Sequence, residues 1–224
     1  MKRVKVLLLG IVIALLACTV NGAELAGYWS FDEDQGTVAK TSAASGYDGE
    51  IHGAKWVPGK VGSALEFNGE SDYVEIKDTA KNSPFAITSM SISAWINPSA
   101  YPKGSPVFWA GIAGKAYYGE STYGLRIGSD GKVFFNVYGP FGEAGKIKSF
   151  LYGRESKTKV SLNQWHYVAV TYDNENVKFY LDGRLDSVYK ENRLPEINKQ
   201  SIFIGSTYAK GRYFKGIIDE VKIY

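Results

Sequence analysis

At 224 residues, with 45% hydrophobic and 22% charged residues, the chain has the balance of a folded globular protein, which excludes a disordered chain and a membrane-spanning bundle. Aromatics reach 14% and glycine numbers 25, a combination that suits an all-β protein with many turns or a surface that stacks on ligands. Three of the 26 basic residues lie at the extreme N-terminus and the rest only balance the 23 acidic ones, so no electrostatic case for nucleic acid or an anionic membrane remains.

Those three, Lys2, Arg3 and Lys5, precede the apolar run Val6 to Ala17, which is too short to span a bilayer comfortably and has the form of a secretory signal. Cleavage after Gly22 or Ala23 is expected. That gives a leader of residues 1–23 and one domain of residues 24–224, secreted, periplasmic or on the cell surface. Leu15-Leu16-Ala17-Cys18 also resembles a bacterial lipobox with an atypical middle Leu, so a lipid anchor on Cys18 is the alternative. No cysteine follows position 18, and the domain must be held by its core, helped at most by a bound ion.

Ala26 to Glu33 reads as an aromatic strand running into carboxylates, and Thr37 to Gly53 as a Gly-rich loop with a short strand near Glu50 to His52. Pro58 to Phe67 is a turn feeding a strand; Asn68-Gly69-Glu70-Ser71-Asp72 reverses the chain and Tyr73, Val74 and Ile76 carry the return, a predicted hairpin. Asp78 to Phe85 fits either a helical turn or an irregular loop. Met90, Ile92, Ala94 and Ile96 alternate with Ser91, Ser93 and Trp95 in a strand that ends at Asn97-Pro98, since proline withholds a ladder donor. Tyr101 to Thr122 is expected to be a long loop in which glycines interleave with Phe108, Trp109, Tyr117 and Tyr118. Tyr123 to Ile127 and Lys132 to Tyr138 form a hairpin about Asp130-Gly131, and Gly139 to Lys159 reads as a second loop-rich insert.

The clearest stretch is Leu162 to Gly183. His166, Val168, Val170 and Tyr172 alternate with Trp165, Tyr167, Ala169 and Thr171. The polar break at Asp173 to Asn176 then reverses the chain, and Val177, Phe179 and Leu181 resume the period of two. Asp182-Gly183 gives a second reversal. Leu185 to Val188 and Ile202 to Gly205 are short strands. At the C-terminus Ile217, Asp219, Val221 and Ile223 are expected to share a core face. Many short strands with turn signals between them predict an all-β, two-sheet antiparallel sandwich of Greek-key or jelly-roll type.

Five motifs in this order, GYWSFDE (27–33), GKVGSALEFNGESDYVEI (59–76), MSISAWI (90–96), NQWHYVAVTYDNENVKFYLDG (163–183) and FKGIIDEVKIY (214–224), resemble the laminin-G-like jelly rolls of the concanavalin A-like lectin/glucanase superfamily, in the branch common in bacterial secreted proteins. The resemblance implies two antiparallel sheets with loops crossing the front one. It also implies a structural calcium ion held by Asp32, Asn68, Asp72 and Asp219, in part through main-chain carbonyls. These are the oxygen ligands a hard cation takes. The alternative for each carboxylate is a turn or strand-end residue bonded to a backbone N–H.

Catalysis is not expected. Laminarinase-type relatives carry Glu-x-Asp-x-x-Glu on one strand, and no such run is expected in this chain, since Asp32-Glu33-Asp34 and Asp219-Glu220 have the wrong spacing for it. The two histidines, His52 and His166, are far apart in sequence, and spacing argues for no Ser-His-Asp arrangement. Sugars stack their C–H faces on aromatic rings and bond their hydroxyls to polar side chains, so Trp109, Tyr117, Tyr118, Tyr123 and Arg126, with Tyr208, Arg212 and Tyr213, are the candidate ligand residues. The alternative is that they cover the ends of the sandwich. Trp29, Trp95 and Trp165 are expected in the core. The reading that follows is a non-catalytic carbohydrate-binding or adhesion domain, with a cell-surface protein as the other kind of partner.

Overall fold

The computed structural model describes residues 24–78, 83–104, 108–115, 123–137, 153–192, 195, 199–207 and 211–224. The leader and Cys18 lie outside them. The described residues form strands β1 (Gly27–Trp29), β2 (Val38–Ala39), β3 (Gly49–His52), β4 (Lys55–Pro58), β5 (Ser63–Asn68), β6 (Tyr73–Ile76), β7 (Met90–Pro98) and β8 (Trp109–Lys115). They continue with β9 (Tyr123–Gly128), β10 (Lys132–Val137), β11 (Gly153–Lys159), β12 (His166–Tyr172), β13 (Asn176–Leu181), β14 (Arg184–Lys190), β15 (Ile202–Ile204) and β16 (Lys215–Ile223). No helix among the described residues is long and apolar enough to cross a membrane.

Two antiparallel sheets pack face to face. The first runs β14-β13-β12-β7-β16-β5-β4, with β1 also paired to β16, and the second runs β11-β10-β9-β8-β15-β6-β3-β2. Alternation along each strand supplies the core. Phe67, Ile92, Ile96, Val168, Val170 and Phe179 from the first sheet meet Val74, Ile76, Leu125, Ile127, Val133 and Ile204 from the second, all essentially without exposure. The architecture is the expected sandwich.

The Leu162 to Gly183 reading holds in register. β12 pairs with β13 from Val168↔Leu181 to Tyr172↔Val177, and Asp182 (φ 49°) and Gly183 (φ 78°) make the left-handed turn into β14. The Asp130-Gly131 hairpin between β9 and β10 is also present.

Several expectations need correction. β5 and β6 are not a hairpin, because they belong to different sheets, and the 68–72 turn carries the chain across the sandwich edge. The turn is self-sufficient: Asn68 Oδ1 accepts from the main-chain N–H of Glu70, Ser71 and Asp72 at 2.7, 2.9 and 3.3 Å. The two long loops each contain a strand, β8 and β11. Glycine weakens the strand signal in the first, and the second is polar throughout, as an edge strand can be. In β16 a bulge at Glu220 (φ 55°) shifts the phase, so Ile218, Val221 and Ile223 face the core while Ile217 and Asp219 do not. Trp29 is fully buried as expected; Trp95 and Trp165 are only half-buried, and Trp95 lies on the outer face of the first sheet under the Lys60 ammonium, 4.8 Å from its ring.

Candidate functional site

With Leu125, Ile127, Val133 and Phe135 inward, the pleat turns Gly124, Arg126, Gly128, Phe134 and Asn136 to the outer face of the second sheet. Missing side chains shape this face. Trp109 stands opposite Gly128, where a Cβ would lie 3.5 Å from its Cδ1, and so it reaches over β9 to stack on Phe134 at 4.4 Å between centroids. The Phe134 ring in turn occupies the space that a Cβ on Gly153 would need. Above this pair the Arg212 guanidinium sits 5.7 Å from Trp109 and 5.6 Å from Phe108, within cation–π range. Arg212 is anchored by its carbonyl, which accepts from Gly111 N–H at 2.9 Å, and the Ser206–Thr207 main chain crosses directly over Gly111.

The next residue serves a second aromatic group on the same face. Tyr213 lies 6.4 Å from Tyr73, which stacks on His52 at 4.5 Å and meets Phe203 edge-on at 5.9 Å. Arg212 and Tyr213 therefore divide between two aromatic clusters on either side of β15.

Of the candidate ligand residues, Trp109, Arg212 and Tyr213 come to this face half-buried, and Arg126 lies on it almost fully covered. Tyr123 is a correction: it is fully buried on the core side of β9, its hydroxyl donating to the Phe85 carbonyl at 3.3 Å and pushed far up in pKa by burial. Tyr117, Tyr118 and Tyr208 lie outside the described residues. Sequence reasoning missed Phe134, Asn136, Tyr73 and Phe203, although the alternation of Val133 and Phe135 was enough to turn Phe134 and Asn136 outward.

The proposed calcium ligands separate into two groups. Asp219, fully buried, accepts at Oδ2 from Lys60 and Val61 N–H at 2.8 and 3.0 Å, while Asp32 Oδ1 accepts from Ser63 N–H at 3.2 Å. Both carboxylates thus meet the 59–63 turn. Burial raises the Asp219 carboxyl from 3.8 to about 6 against the pull of the Val61 and Lys60 N–H groups, and its Oδ1 has no hydrogen bond. Asn68 and Asp72 lie at the other end of β5, roughly 17 Å away at strand rise, with Asp72 Oδ2 accepting from Asn68 N–H at 3.0 Å. One ion cannot take all four. Among the described residues no three His, Cys, Asp or Glu side chains form a metal set.

Two further arrangements bear on catalysis. The expectation that the chain lacks a Glu-x-Asp-x-x-Glu run is wrong: Glu70, Asp72 and Glu75 have that spacing. The fold splits it: Glu70 is exposed in the crossing turn, Asp72 is spent on Asn68, and only Glu75 lies on β6, facing outward with its Oε1 accepting from Ser201 Oγ at 2.7 Å. Spacing also missed a Ser-His-Asp chain. Ser161 Oγ lies 2.8 Å from His166 Nε2, and His166 Nδ1 lies 2.9 Å from Asp182 Oδ2. Nε2 also accepts from the Ser161 N–H at 3.2 Å, which puts the ring proton on Nδ1, and Ser161 Oγ is shared with Gln164 Oε1 at 3.1 Å. The group latches the turn that leads into β12.

The family model Laminin_G_3, described as the concanavalin A-like lectin/glucanases superfamily, matches residues 68–224. A search of curated proteins found no match. Among solved structures, domain 4 of a GH43 extracellular arabinanase from Geobacillus stearothermophilus, in complex with arabinotriose, aligns with TM-score 0.61 and 18% identity over 90% of this chain and 92% of that one. The binding domain of Paraclostridial Mosquitocidal Protein 1 aligns with TM-score 0.68 and 15% identity, over 90% of this chain and 48% of that one. Trypanosoma rangeli sialidase gives TM-score 0.59 and 18% identity, over 89% of this chain but only 30% of the enzyme. At these identities the likeness is one of fold.

Proposed function

The chain belongs to the Laminin_G_3 family of the concanavalin A-like lectin/glucanase superfamily, and on that premise we propose that it is a secreted, non-catalytic carbohydrate-binding or adhesion domain. The observation that carries this reading is the outer face of the second sheet, where half-buried Trp109 rests on Phe134 beneath Arg212. A half-exposed ring beside a cationic side chain is what a sugar needs: an apolar surface for its C–H groups and a donor for its hydroxyls. The splitting of Glu70, Asp72 and Glu75 supports a role without bond cleavage. The neighbouring arabinanase domain, seen with arabinotriose, is consistent with such a role.

A calcium ion belongs to the same proposal. The donor set that fits is Asp32 and Asp219 with main-chain oxygens of the 59–63 turn, because Asp219 Oδ1 is buried without a hydrogen bond and the turn's glycines bring the backbone against both carboxylates. When bound, the ion would neutralise these charges and fix the turn; Asn68 and Asp72 are not part of the set.

Glycan-array binding of the domain from residue 24, in calcium and then in EDTA, tests the reading. Binding to at least one glycan, lost in Trp109→Ala, is expected; no binding in either buffer overturns it. A protein-interaction domain is the second reading, favoured by Leu185 and Val188, exposed at 57% and 49% on edge strand β14. Capture of a purified cell-surface partner that free sugar does not displace and that Leu185→Lys abolishes would select it. Mass spectrometry of the exported N-terminus separates cleavage near Ala23 from lipidation of Cys18.

A further inference from the structure

The core under the second sheet is not wholly apolar. Ile76, Ile202, Lys115 and Tyr123 lie side by side on β6, β15, β8 and β9, and all four are fully buried. Asp78 follows Ile76 by two residues, so it keeps the inward face just beyond the end of β6, where it is 1% exposed. β6 and β8 stand two strand spacings apart, about 10 Å. The lysine stem and the aspartate close that gap over Ile202, and Lys115 Nζ donates to Asp78 Oδ2.

The surroundings of the pair are built from the protein. Ser83 Oγ donates to the same Oδ2 at 2.6 Å and accepts from the Phe85 N–H at 3.0 Å, while Asp78 Oδ1 has no hydrogen bond. The Phe85 ring packs at 6.1 Å on Trp29 and at 5.3 Å on Tyr47, and its carbonyl takes the Tyr123 hydroxyl. An ion pair withdrawn from water in this way stabilises a fold little, and apolar residues of similar volume often serve as well or better. No cysteine follows position 18, so a disulfide cannot hold these strands together.

We propose that Lys115 and Asp78 condense to an isopeptide bond, a covalent brace from β6 to β8 across β15. Nζ first passes one proton to Oδ2, which leaves an amine and a carboxylic acid, the neutral pair that a dry site penalises least. The Nζ lone pair then forms a bond to Asp78 Cγ. A second proton moves from Nζ to Oδ2, the Cγ–Oδ2 bond breaks with its electron pair on oxygen, and one water departs. Nζ keeps one hydrogen, and Oδ1 becomes the amide oxygen. The balance needs no oxidant and no co-reactant. Ser83, fixed by the Phe85 N–H, donates to the departing oxygen. Alignment favours the step, since well-oriented groups held in contact react at effective concentrations of roughly 10⁵–10⁸ M. Burial favours the product, because it penalises charged reactants more than a neutral amide. The brace is independent of what the domain binds.

The test is the linkage itself, read by mass spectrometry on the purified full chain. A tryptic digest of the wild type should contain residues 78–81 joined to residues 104–126, uncut after Lys115 and lighter by one water, about 18 Da, than the two peptides together. Tandem spectra should place the bond between Lys115 and Asp78. Lys115→Arg keeps the charge pair and should show no link. The double variant Asp78→Leu/Lys115→Met fills the site with apolar groups, which keeps a folded reference available if a single substitution unfolds the chain. It should have no water deficit and should melt below the wild type. Asp-Gly turns can also lose water by closing to a succinimide, but mild alkali reopens that ring, whereas the Lys115 deficit should persist. A wild type of full mass whose digest is cut after Lys115 overturns the proposal. So does a deficit that remains in the double variant or disappears in alkali, or a double variant that melts as high as the wild type.

Discussion

Gly59 packs so closely on Asp219 that a Cβ there would stand 2.8 Å from the carboxylate Oδ2. Burial of Asp219 raises its pKa to about 6. The unfolded chain releases this proton near 3.8, so between the two values the folded domain holds a proton that the unfolded one does not. Its contribution to stability is complete below about pH 4 and is lost as pH rises through about 6. In EDTA, the urea midpoint of the wild type should therefore fall across this interval more steeply than that of Asp219→Asn. Parallel curves for the two proteins would contradict the account.

Calcium should act on the same group in the opposite sense. Added calcium is expected to stabilise the wild type at neutral pH by about 2.7 kcal/mol at a hundredfold excess over its dissociation constant, read as a higher melting temperature. Asp32→Asn and Asp219→Asn should lose the response, whereas Asn68→Ala should keep it. A response lost in Asn68→Ala and kept in Asp219→Asn would move the ion to the other end of β5.

Asp186 clamps the free edges of the two sheets together, with Oδ2 accepting from Lys157 N–H at 2.6 Å and Oδ1 from Thr158 N–H at 3.0 Å. Partial burial would raise this carboxyl, but bonds from Thr158, Lys157 and Ser187 together lower it. The clamp therefore contributes above the ordinary carboxylate range and fades in acid. Asp186→Ala should cost about 0.5–1.5 kcal/mol at neutral pH, the net worth of such bonds at an exposed edge, and amide exchange at 157 and 158 should accelerate. Unchanged exchange would show that the clamp carries no stability.

Ser161, His166 and Asp182 have the distances of a hydrolase triad, yet Nε2 already accepts from the Ser161 N–H. A fluorophosphonate probe is expected to leave Ser161 unlabelled, and His166→Ala to cost about 1–2 kcal/mol through loss of the turn. Labelling of Ser161 in the wild type and not in His166→Ala would establish a nucleophile instead.

The parts of this fold that could be read from sequence are those where each residue's choice is local. The β12–β13 ladder follows from its alternation and from turn residues that tolerate positive φ. What sequence could not show depends on non-local pairing. Leu65-to-Ile76 has the pattern of a hairpin whether its strands share a sheet or face each other across the core, because both arrangements bury Leu65, Phe67, Val74 and Ile76. The Glu220 bulge reverses the faces of Ile217 and Asp219 without any proline or glycine at the bulged residue. At the candidate site Trp109 and Arg212 were legible as aromatic and cationic loop residues. Their meeting depends on Gly128 and on the Gly111 contact, which composition does not announce.

The Asp219 turn belongs to the first sheet and the Trp109 face to the second, with the whole apolar core between them. Side chains on the Trp109 face can therefore be exchanged, one ligand preference for another, while the carboxylate turn on the far side keeps the domain intact. A scaffold divided in this way is free to diversify its recognition without re-solving its folding.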